Sequence, residues 1–237
     1  MKKMVEIYKE KNPIVDDAID RIVVKMNEIK EADKSKSFLL TGCGTQNGTT
    51  KIAIDLAVAL SIAGWRTLLV DCDIKKSMEY TRLNEGLDKG MVDFIRDTAY
   101  LDDIIYETNR PNLYYMPSGS YAGSSANVFF TAAMRKLTYF VANEYDYIIY
   151  DLPAITILPA ARVMLGLVDK IFLVAGMEAT TRKQVRTSLD TLVDYEHKYM
   201  GVILNKVDSD QYAKCIENND YYTDKKLASR LHDTLNK

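Results

Sequence analysis

The stretch from Ser37 to Ala63, SFLLTGCGTQNGTTKIAIDLAVALSIA, constrains the fold more than any other part of the chain. A short apolar run leads into a loop that carries Gly42, Gly44 and Gly48, and a segment with helical apolar spacing follows. In a phosphate-binding loop, a strand, a glycine-rich turn and a helix follow in this order, so that backbone N–H groups and the helix dipole meet an anion. The sequence therefore predicts such a loop here.

The usual pattern of a phosphate-binding loop is G-x-x-x-x-G-K-[ST], and its lysine is missing from this chain. Gly48 is placed to close the loop and Thr50 to offer a hydroxyl to Mg²⁺, but Thr49 stands between them. Lys51 follows two residues after Thr49, about 200° around a helix of 3.6 residues per turn, so we expect it to point away. Loss of a charge-assisted contact costs roughly 1.5–3 kcal/mol of binding free energy.

Length and composition indicate an ordinary soluble α/β protein. The chain has 237 residues, 47% of them apolar, which suffices for one large domain with a full core. A net charge of −2 gives no basic footprint for nucleic acid. The most apolar long window, 148–168, contains Asp151 and Arg162 and is too polar for a membrane span. We expect a cytoplasmic protein whose membrane association, if any, comes through a partner.

Apolar strands that alternate with helices predict a doubly wound, mostly parallel sheet with helices on both faces. We place this α/β domain at residues 37–208, between an N-terminal amphipathic helix region at 1–36 and a polar C-terminal tail at 209–237. The N-terminal helix, from Pro13 onward, is expected to pack on the domain, with self-association as the alternative. Single helices are predicted over 91–106, 128–143 and 181–197.

Four polar clusters follow directly after predicted strands and are expected to meet at one sheet edge. They are the glycine loop, Asp71 with Asp73, Asp151, and the NKVD segment that begins at Asn205. Three clustered carboxylates would repel one another unless a cation such as Mg²⁺ lies among them. Each aspartate alone has a second explanation, as a helix cap, so the prediction of an Mg–nucleotide site depends on the set.

The chain resembles the bacterial tyrosine kinases of capsular and exopolysaccharide export, which belong to the MinD/ParA/Mrp group of P-loop ATPases. The resemblance covers roughly residues 12–210 and is carried by four segments: LLTGCGTQNGTTKIAIDLAVALSIAGWRTLLVDCDIKKS, NEYDYIIYDLPA, KIFLVAGMEATTR and GVILNKVD. LLVDCDIKKS matches the second aspartate motif of these kinases and YIIYDLPA the third. The resemblance implies an ATP-dependent kinase that phosphorylates tyrosines of its own C-terminal tail.

The resemblance also implies roles for individual residues. Asp71 would be the base for the attacking hydroxyl, while Thr50, Asp73 and Asp151 would hold Mg²⁺. Asn205 would contact adenine, although NKVD also resembles the guanine-reading motif of GTPases; the aspartate motif favours ATP. The remaining contacts to ATP or ADP would come from the loop, at Gly44, Thr45, Gln46, Asn47, Gly48, Thr49 and Thr50. The phosphorylation candidates are Tyr212, Tyr221 and Tyr222, unless these tyrosines only pack a short helix.

Altered motifs leave three functions open. Thr49 is not the only departure from the kinase motifs. In the N-terminal helix, Asp20 and Val23 stand where the self-association motif of these kinases has arginines. Before the helix that contains Met134, Asn127 stands where these kinases have an acidic residue. The chain is therefore a kinase with reduced or lost phosphotransfer, a non-catalytic partner of a membrane polysaccharide co-polymerase or activator, or a positioning ATPase of the MinD/ParA kind. Self-assembly into a homo-oligomer is compatible with each function.

Overall fold

A computed structural model of the protein describes residues 3–74, 87–119, 126–158, 162–177, 179–208 and 212. Seven strands form one sheet in the order β3-β4-β2-β5-β1-β6-β7. The strands are β1 Ser37–Gly42, β2 Thr67–Asp71, β3 Tyr106–Glu107, β4 Leu113–Met116, β5 Tyr147–Leu152, β6 Lys170–Gly176 and β7 Tyr199–Asn205. All neighbouring strands are parallel except the short edge strand β3, which runs antiparallel to β4. The predicted mostly parallel α/β fold is confirmed.

Eight α-helices lie among the described residues, and a 3₁₀ helix at Val193–Lys198 follows the last of them. They are α1 Pro13–Asp33, α2 Thr49–Ile62, α3 Met91–Ile95, α4 Leu101–Ile104, α5 Ala126–Phe129, α6 Ala132–Glu144, α7 Val163–Leu167 and α8 Arg182–Thr191. None of the helices in the described part of the chain is long and apolar enough to cross a membrane.

The core forms two layers because successive side chains of each strand point to opposite faces of the sheet. Leu39 of β1 belongs to the layer covered by α6 and α7, whereas Phe38 and Leu40 belong to the layer covered by α1 and α2. On the second face, α1 buries Ile19 and Met26. The amphipathic N-terminal helix thus packs on the domain, as we expected.

Three predicted helices are interrupted in the structure. The segment 91–106 forms α3, α4 and the start of β3, because the carboxylates of Asp93 and Asp103 each cap a new short helix. The segment 128–143 breaks before α6, where the Thr131 hydroxyl caps the helix by accepting a hydrogen bond from the N–H of Met134. The segment 181–197 changes from α-helix to 3₁₀ helix after Thr191.

Candidate functional site

The glycine loop lies between β1 and α2, as the sequence predicts. Gly48 immediately precedes α2 with φ +79°, a left-handed conformation that favours glycine. A Cβ atom at Gly48 would lie 2.3 Å from Nδ2 of Asn205. The same Nδ2 donates a hydrogen bond of 2.9 Å to the backbone carbonyl of Asn47. The end of β7 therefore closes directly over the loop.

The side chain of Asn47 points into the protein and fastens the loop to the connection between β6 and α8. Its Nδ2 donates to the carbonyl of Val174 at 3.0 Å, and its Oδ1 accepts from the Thr180 hydroxyl at 3.0 Å. The Thr180 hydroxyl in turn accepts from the N–H of Gly176 at 2.9 Å. Asn47 was predicted to contact the nucleotide; in this geometry its side chain holds the loop.

Two acids that were predicted to act together stand side by side at the carboxyl ends of their strands. Asp71 in β2 is the register partner of Asp151 in β5, so both side chains project from the same face, the one covered by α2. The N–H of Asp73 donates 2.8 Å to Oδ1 of Asp71. The N–H of Cys72 donates 2.9 Å to the carbonyl of Asp151. These contacts fix the turn after β2 against β5.

A pocket of about 440 Å³ joins the loop to this sheet edge. The pocket is lined by the glycine loop, by two aspartates and by an apolar segment that follows β5. The described lining residues are Gly44, Thr45, Gln46, Asn47, Gly48, Thr49, Thr50, Asp73, Asp151, Leu152, Pro153, Ala154, Ile157 and Leu158. Nine of the predicted site residues thus share one cavity. Asp71 and Asn205 are not among the described lining residues.

The described lining of the pocket contains two carboxylates and no lysine or arginine. Lys51 is turned away, as predicted, and its ammonium binds Asp55 at 3.1 Å. The hydroxyl of Thr49 lies 3.1 Å from the point where a Cβ of Gly42 would stand, so this short side chain points into the loop. No group of three or more acidic, cysteine or histidine side chains among the described residues is arranged to hold a metal ion.

The donors present nevertheless suit Mg²⁺ bound to phosphate. Mg²⁺ prefers oxygen ligands and usually combines one or two carboxylates with phosphate oxygens and water. Thr50, Asp73 and Asp151 line the pocket and offer a hydroxyl and two carboxylates. Backbone N–H groups at the start of α2 provide partial positive charge. The residues fit an Mg–phosphate group in all respects except the missing lysine.

Two buried cysteines lie beside the site. Cys43 in the loop and Cys72 between Asp71 and Asp73 are both fully buried. Burial raises the pKa of the Cys43 thiol, and burial together with the neighbouring carboxylates raises the pKa of Cys72. Both groups are therefore neutral thiols at physiological pH and serve as small apolar side chains.

Only one of the three phosphorylation candidates falls within the described residues. Tyr212 is half-buried, and its N–H donates 2.9 Å to the carbonyl of Asp208. Its phenol meets Asp17 and Arg21 of α1, and burial raises the pKa of Tyr212. Tyr221 and Tyr222 lie outside the described residues.

Two further residues at the site were missed by sequence reasoning. Thr180 holds Asn47, and the side-chain amide of Gln184 lies 2.7 Å from the point where a Cβ of Gly44 would stand. Both follow β6, and the only available signal was their position after a predicted strand. Threonine and glutamine at the start of a helix are usually read as caps, and Thr181 with Gln184 does form a capping box.

Comparison with known proteins shows the family of the chain. The model of the CobQ/CobB/MinD/ParA nucleotide binding domain matches residues 39–230. Tyrosine-protein kinase CpsD of Streptococcus agalactiae serotype III (strain NEM316) is 31% identical over 175 residues, 73% of this chain and 75% of CpsD. The chain belongs to the bacterial tyrosine kinase family of the MinD/ParA group.

Solved structures agree in fold with this family. The kinase domain of the Escherichia coli tyrosine kinase ETK superposes with a TM-score of 0.75 at 20% identity, over 85% of this chain and 83% of that domain. The septum site-determining protein MinD of Pyrococcus horikoshii, complexed with Mg-ADP, superposes with a TM-score of 0.57 at 20% identity, over 82% and 77%. Of these two folds, that of the ETK kinase domain superposes more closely on this chain.

Proposed function

We propose that this chain is a tyrosine kinase relative that binds Mg–ATP or Mg–ADP weakly and transfers phosphate slowly or not at all. One observation carries the proposal: a single pocket joins the glycine loop to Thr50, Asp73 and Asp151, while its described lining has no cationic side chain. The metal-binding half of a kinase site is retained and the cation that would neutralise the phosphates is replaced by Thr49.

Each retained group would have a distinct task. Backbone N–H groups from Gly44 to Thr50 would bind the phosphate oxygens, and the Thr50 hydroxyl with the Asp73 and Asp151 carboxylates would hold Mg²⁺. Bound Mg²⁺ would neutralise charge on the β- and γ-phosphates. The side-chain Nδ2 of Asn205 donates to the backbone carbonyl of Asn47 and so holds the loop. The side-chain Oδ1 of Asn205 is then the atom that would accept a hydrogen bond from the adenine amino group. The aspartate motif favours ATP over GTP.

Weak phosphotransfer follows from the missing charge. A lysine in the loop would stabilise the negative charge that builds on the γ-phosphate during transfer, and such contacts contribute more in the transition state than in the ground state. Lys51 does not replace it because its ammonium is bound to Asp55. We therefore expect the rate of phosphate transfer to fall further than the nucleotide affinity.

A non-catalytic role is the second candidate, and the inward turn of the Thr49 hydroxyl favours it. In this position the Thr49 hydroxyl lies against Gly42 and supports the fold of the loop, and it offers no positive charge to a phosphate. In this form the chain would act by binding a membrane polysaccharide co-polymerase or a catalytically active kinase, alone or as a homo-oligomer. It would then reach the membrane from the cytoplasm through that partner.

Calorimetric titration with ADP and ATP, with and without Mg²⁺, tests the nucleotide site directly. Saturable binding weaker than about 1 μM, which corresponds to about −8 kcal/mol, that depends on Mg²⁺ and is lost in Asp151→Ala would establish the weak site that we propose. The Asp146→Ala protein is the matched control, because Asp146 lies at the opposite end of β5. No heat at millimolar nucleotide would mean that the loop is a structural remnant and would leave only the partner-binding role.

A phosphotyrosine assay separates the two candidate functions. Phosphotyrosine that accumulates on Tyr221 or Tyr222 with Mg–ATP alone would refute the non-catalytic role. Accumulation only after addition of a separate active kinase would identify the chain as a substrate or partner. A Lys25→Met protein should behave as the wild type in this assay, since Lys25 is exposed on α1 and its ammonium pairs with the exposed Glu28.

A further inference from the structure

Tyr115 is a buried tyrosine beside the acids at the sheet edge. It lies in β4 with 2% of its surface exposed and belongs to the core layer under α2. Its register partner in β2 is Leu69, and Asp71 lies two residues beyond Leu69 on the same face. The phenol can thus extend along the strand to Asp71, and the two side chains share a hydrogen bond.

The carboxylate of Asp71 consequently accepts from two donors that belong to the fold. One is the Tyr115 hydroxyl, and the other is the backbone N–H of Asp73, at 2.8 Å from Oδ1. Hydrogen bonds to an ionised carboxylate are stronger than neutral ones and fix its orientation. The Tyr115 hydroxyl comes from β4, which pairs with the edge of β2 opposite to β5 and Asp151.

This arrangement accounts for an asymmetry among the three acids. Asp73 and Asp151 line the pocket, whereas Asp71 is not among the described lining residues. Neighbouring strands lie about 4.8 Å apart, so the carboxylates of Asp71 and Asp151 would repel each other if both pointed into the pocket. The hydrogen bond from the Tyr115 hydroxyl, which comes from β4, orients the Asp71 carboxylate away from Asp151.

We propose that Tyr115 is a positioning residue that holds the Asp71 carboxylate out of the nucleotide pocket, away from any group that attacks the γ-phosphate. The proposal rests on the proposed function, because it concerns which acids reach the nucleotide pocket. In hydrolysis, water oxygen bonds to the γ-phosphorus, the bond to the β–γ bridging oxygen breaks, ADP leaves with the electron pair, and the water proton passes to a base. Asp71 is kept from serving as that base.

The test uses the full chain with Thr49→Lys, so that turnover is measurable, and compares ATP hydrolysis with and without Tyr115→Phe. Removing the hydroxyl while keeping the ring should raise kcat about three-fold or more with KM unchanged. A gain in turnover is a result that structural damage does not produce. Adding Asp71→Asn should abolish the gain, which assigns it to the released carboxylate.

Tyr147→Phe is the matched control. Tyr147 is buried in β5 on the same face, and its hydroxyl donates 3.1 Å to Oδ1 of Asn27, in α1 rather than at the acids. This variant should leave kcat as in the Thr49→Lys parent. An unchanged or lower kcat in Tyr115→Phe would overturn the proposal.

Crystal structures of the wild type and of Tyr115→Phe, both without nucleotide, keep this outcome separate from the proposed function. If the Thr49→Lys protein fails to bind Mg–ATP in calorimetry, the proposed function fails, but the crystals still decide the role of Tyr115. A carboxylate of Asp71 that turns into the pocket in Tyr115→Phe supports positioning. The same carboxylate orientation in both crystals refutes it.

Discussion

The ammonium of Lys51 lies 3.1 Å from Oδ2 of Asp55, one turn further along α2. Asp55 is almost fully buried, with 1% of its side chain exposed, whereas Lys51 is half exposed. A buried carboxylate requires a partner far more than an exposed ammonium does. The first lysine after the loop is therefore held by the core of the protein and is not available to the phosphates.

Replacement of Lys51 by Met should destabilise the protein by about 1–3 kcal/mol, because it leaves the buried Asp55 carboxylate without its partner. Urea unfolding measures this difference. The control is Lys25→Met, since Lys25 and Glu28 form an exposed pair at 3.0 Å on α1 and exposed pairs contribute at most about 0.5 kcal/mol. Equal losses in the two variants would show that the burial of Asp55 does not matter.

The Thr49→Lys substitution should tighten Mg–ATP binding by roughly 10- to 150-fold, the equivalent of 1.5–3 kcal/mol for a charge-assisted contact. The reason is that the described pocket lining has acids and no cation. Calorimetry with Thr49→Gln, which adds length without charge, separates charge from shape. No gain in affinity would mean that the loop is no longer shaped for phosphate.

Patterns that depend on local periodicity were predictable from the sequence. Apolar runs located the parallel strands, and the helical period placed Lys51 on the far side of α2, where it is found. The break within 91–106 was not predictable, since Asp93 and Asp103 read equally well as polar positions of one helix. Their capping role depends on where the chain must turn to reach β3.

Only those parts of the site that come directly after parallel strands were predictable from the sequence. The loop, Asp73 and Asp151 meet because the carboxyl ends of parallel strands meet. The inward turn of Asn47 toward Val174, and the contact of Tyr115 with Asp71, depend on the exact register between strands that are distant in sequence. Motif patterns carry no information on such register.

The Gly48→Ala substitution should weaken both stability and nucleotide binding. The left-handed conformation at Gly48 costs a non-glycine residue about 1–2 kcal/mol, and the new Cβ would stand 2.3 Å from Nδ2 of Asn205. Gly64→Ala is the control: Gly64 has φ +93°, and a Cβ there would meet no atom within 4 Å. Thermal unfolding should show a larger loss for Gly48→Ala, and only that variant should lose nucleotide binding. Equal effects would mean that Asn205 moves aside freely.

The link between α1 and β6 should make stability depend on pH in the acid range. Oδ2 of Asp33 lies 2.6 Å from the ammonium of Lys170, and the Ser35 hydroxyl also donates to the Asp33 carboxylate. These hydrogen bonds, that of Lys170 first, lower the pKa of Asp33 from 3.8 to about 2. The carboxylate therefore binds protons more readily in the unfolded chain than in the folded protein.

Since the folded-state pKa is the lower one, this stabilisation is fully present above about pH 4 and is lost as the pH falls toward 2. Asp33 is 43% exposed, so after allowance for screening by solvent we expect about 1 kcal/mol. Urea unfolding of wild type and Asp33→Asn between pH 2 and 7 should show a difference that disappears in this window. Lys170→Met should remove most of the same difference, because it removes the main donor; a difference that persists unchanged at pH 2 would contradict the assignment.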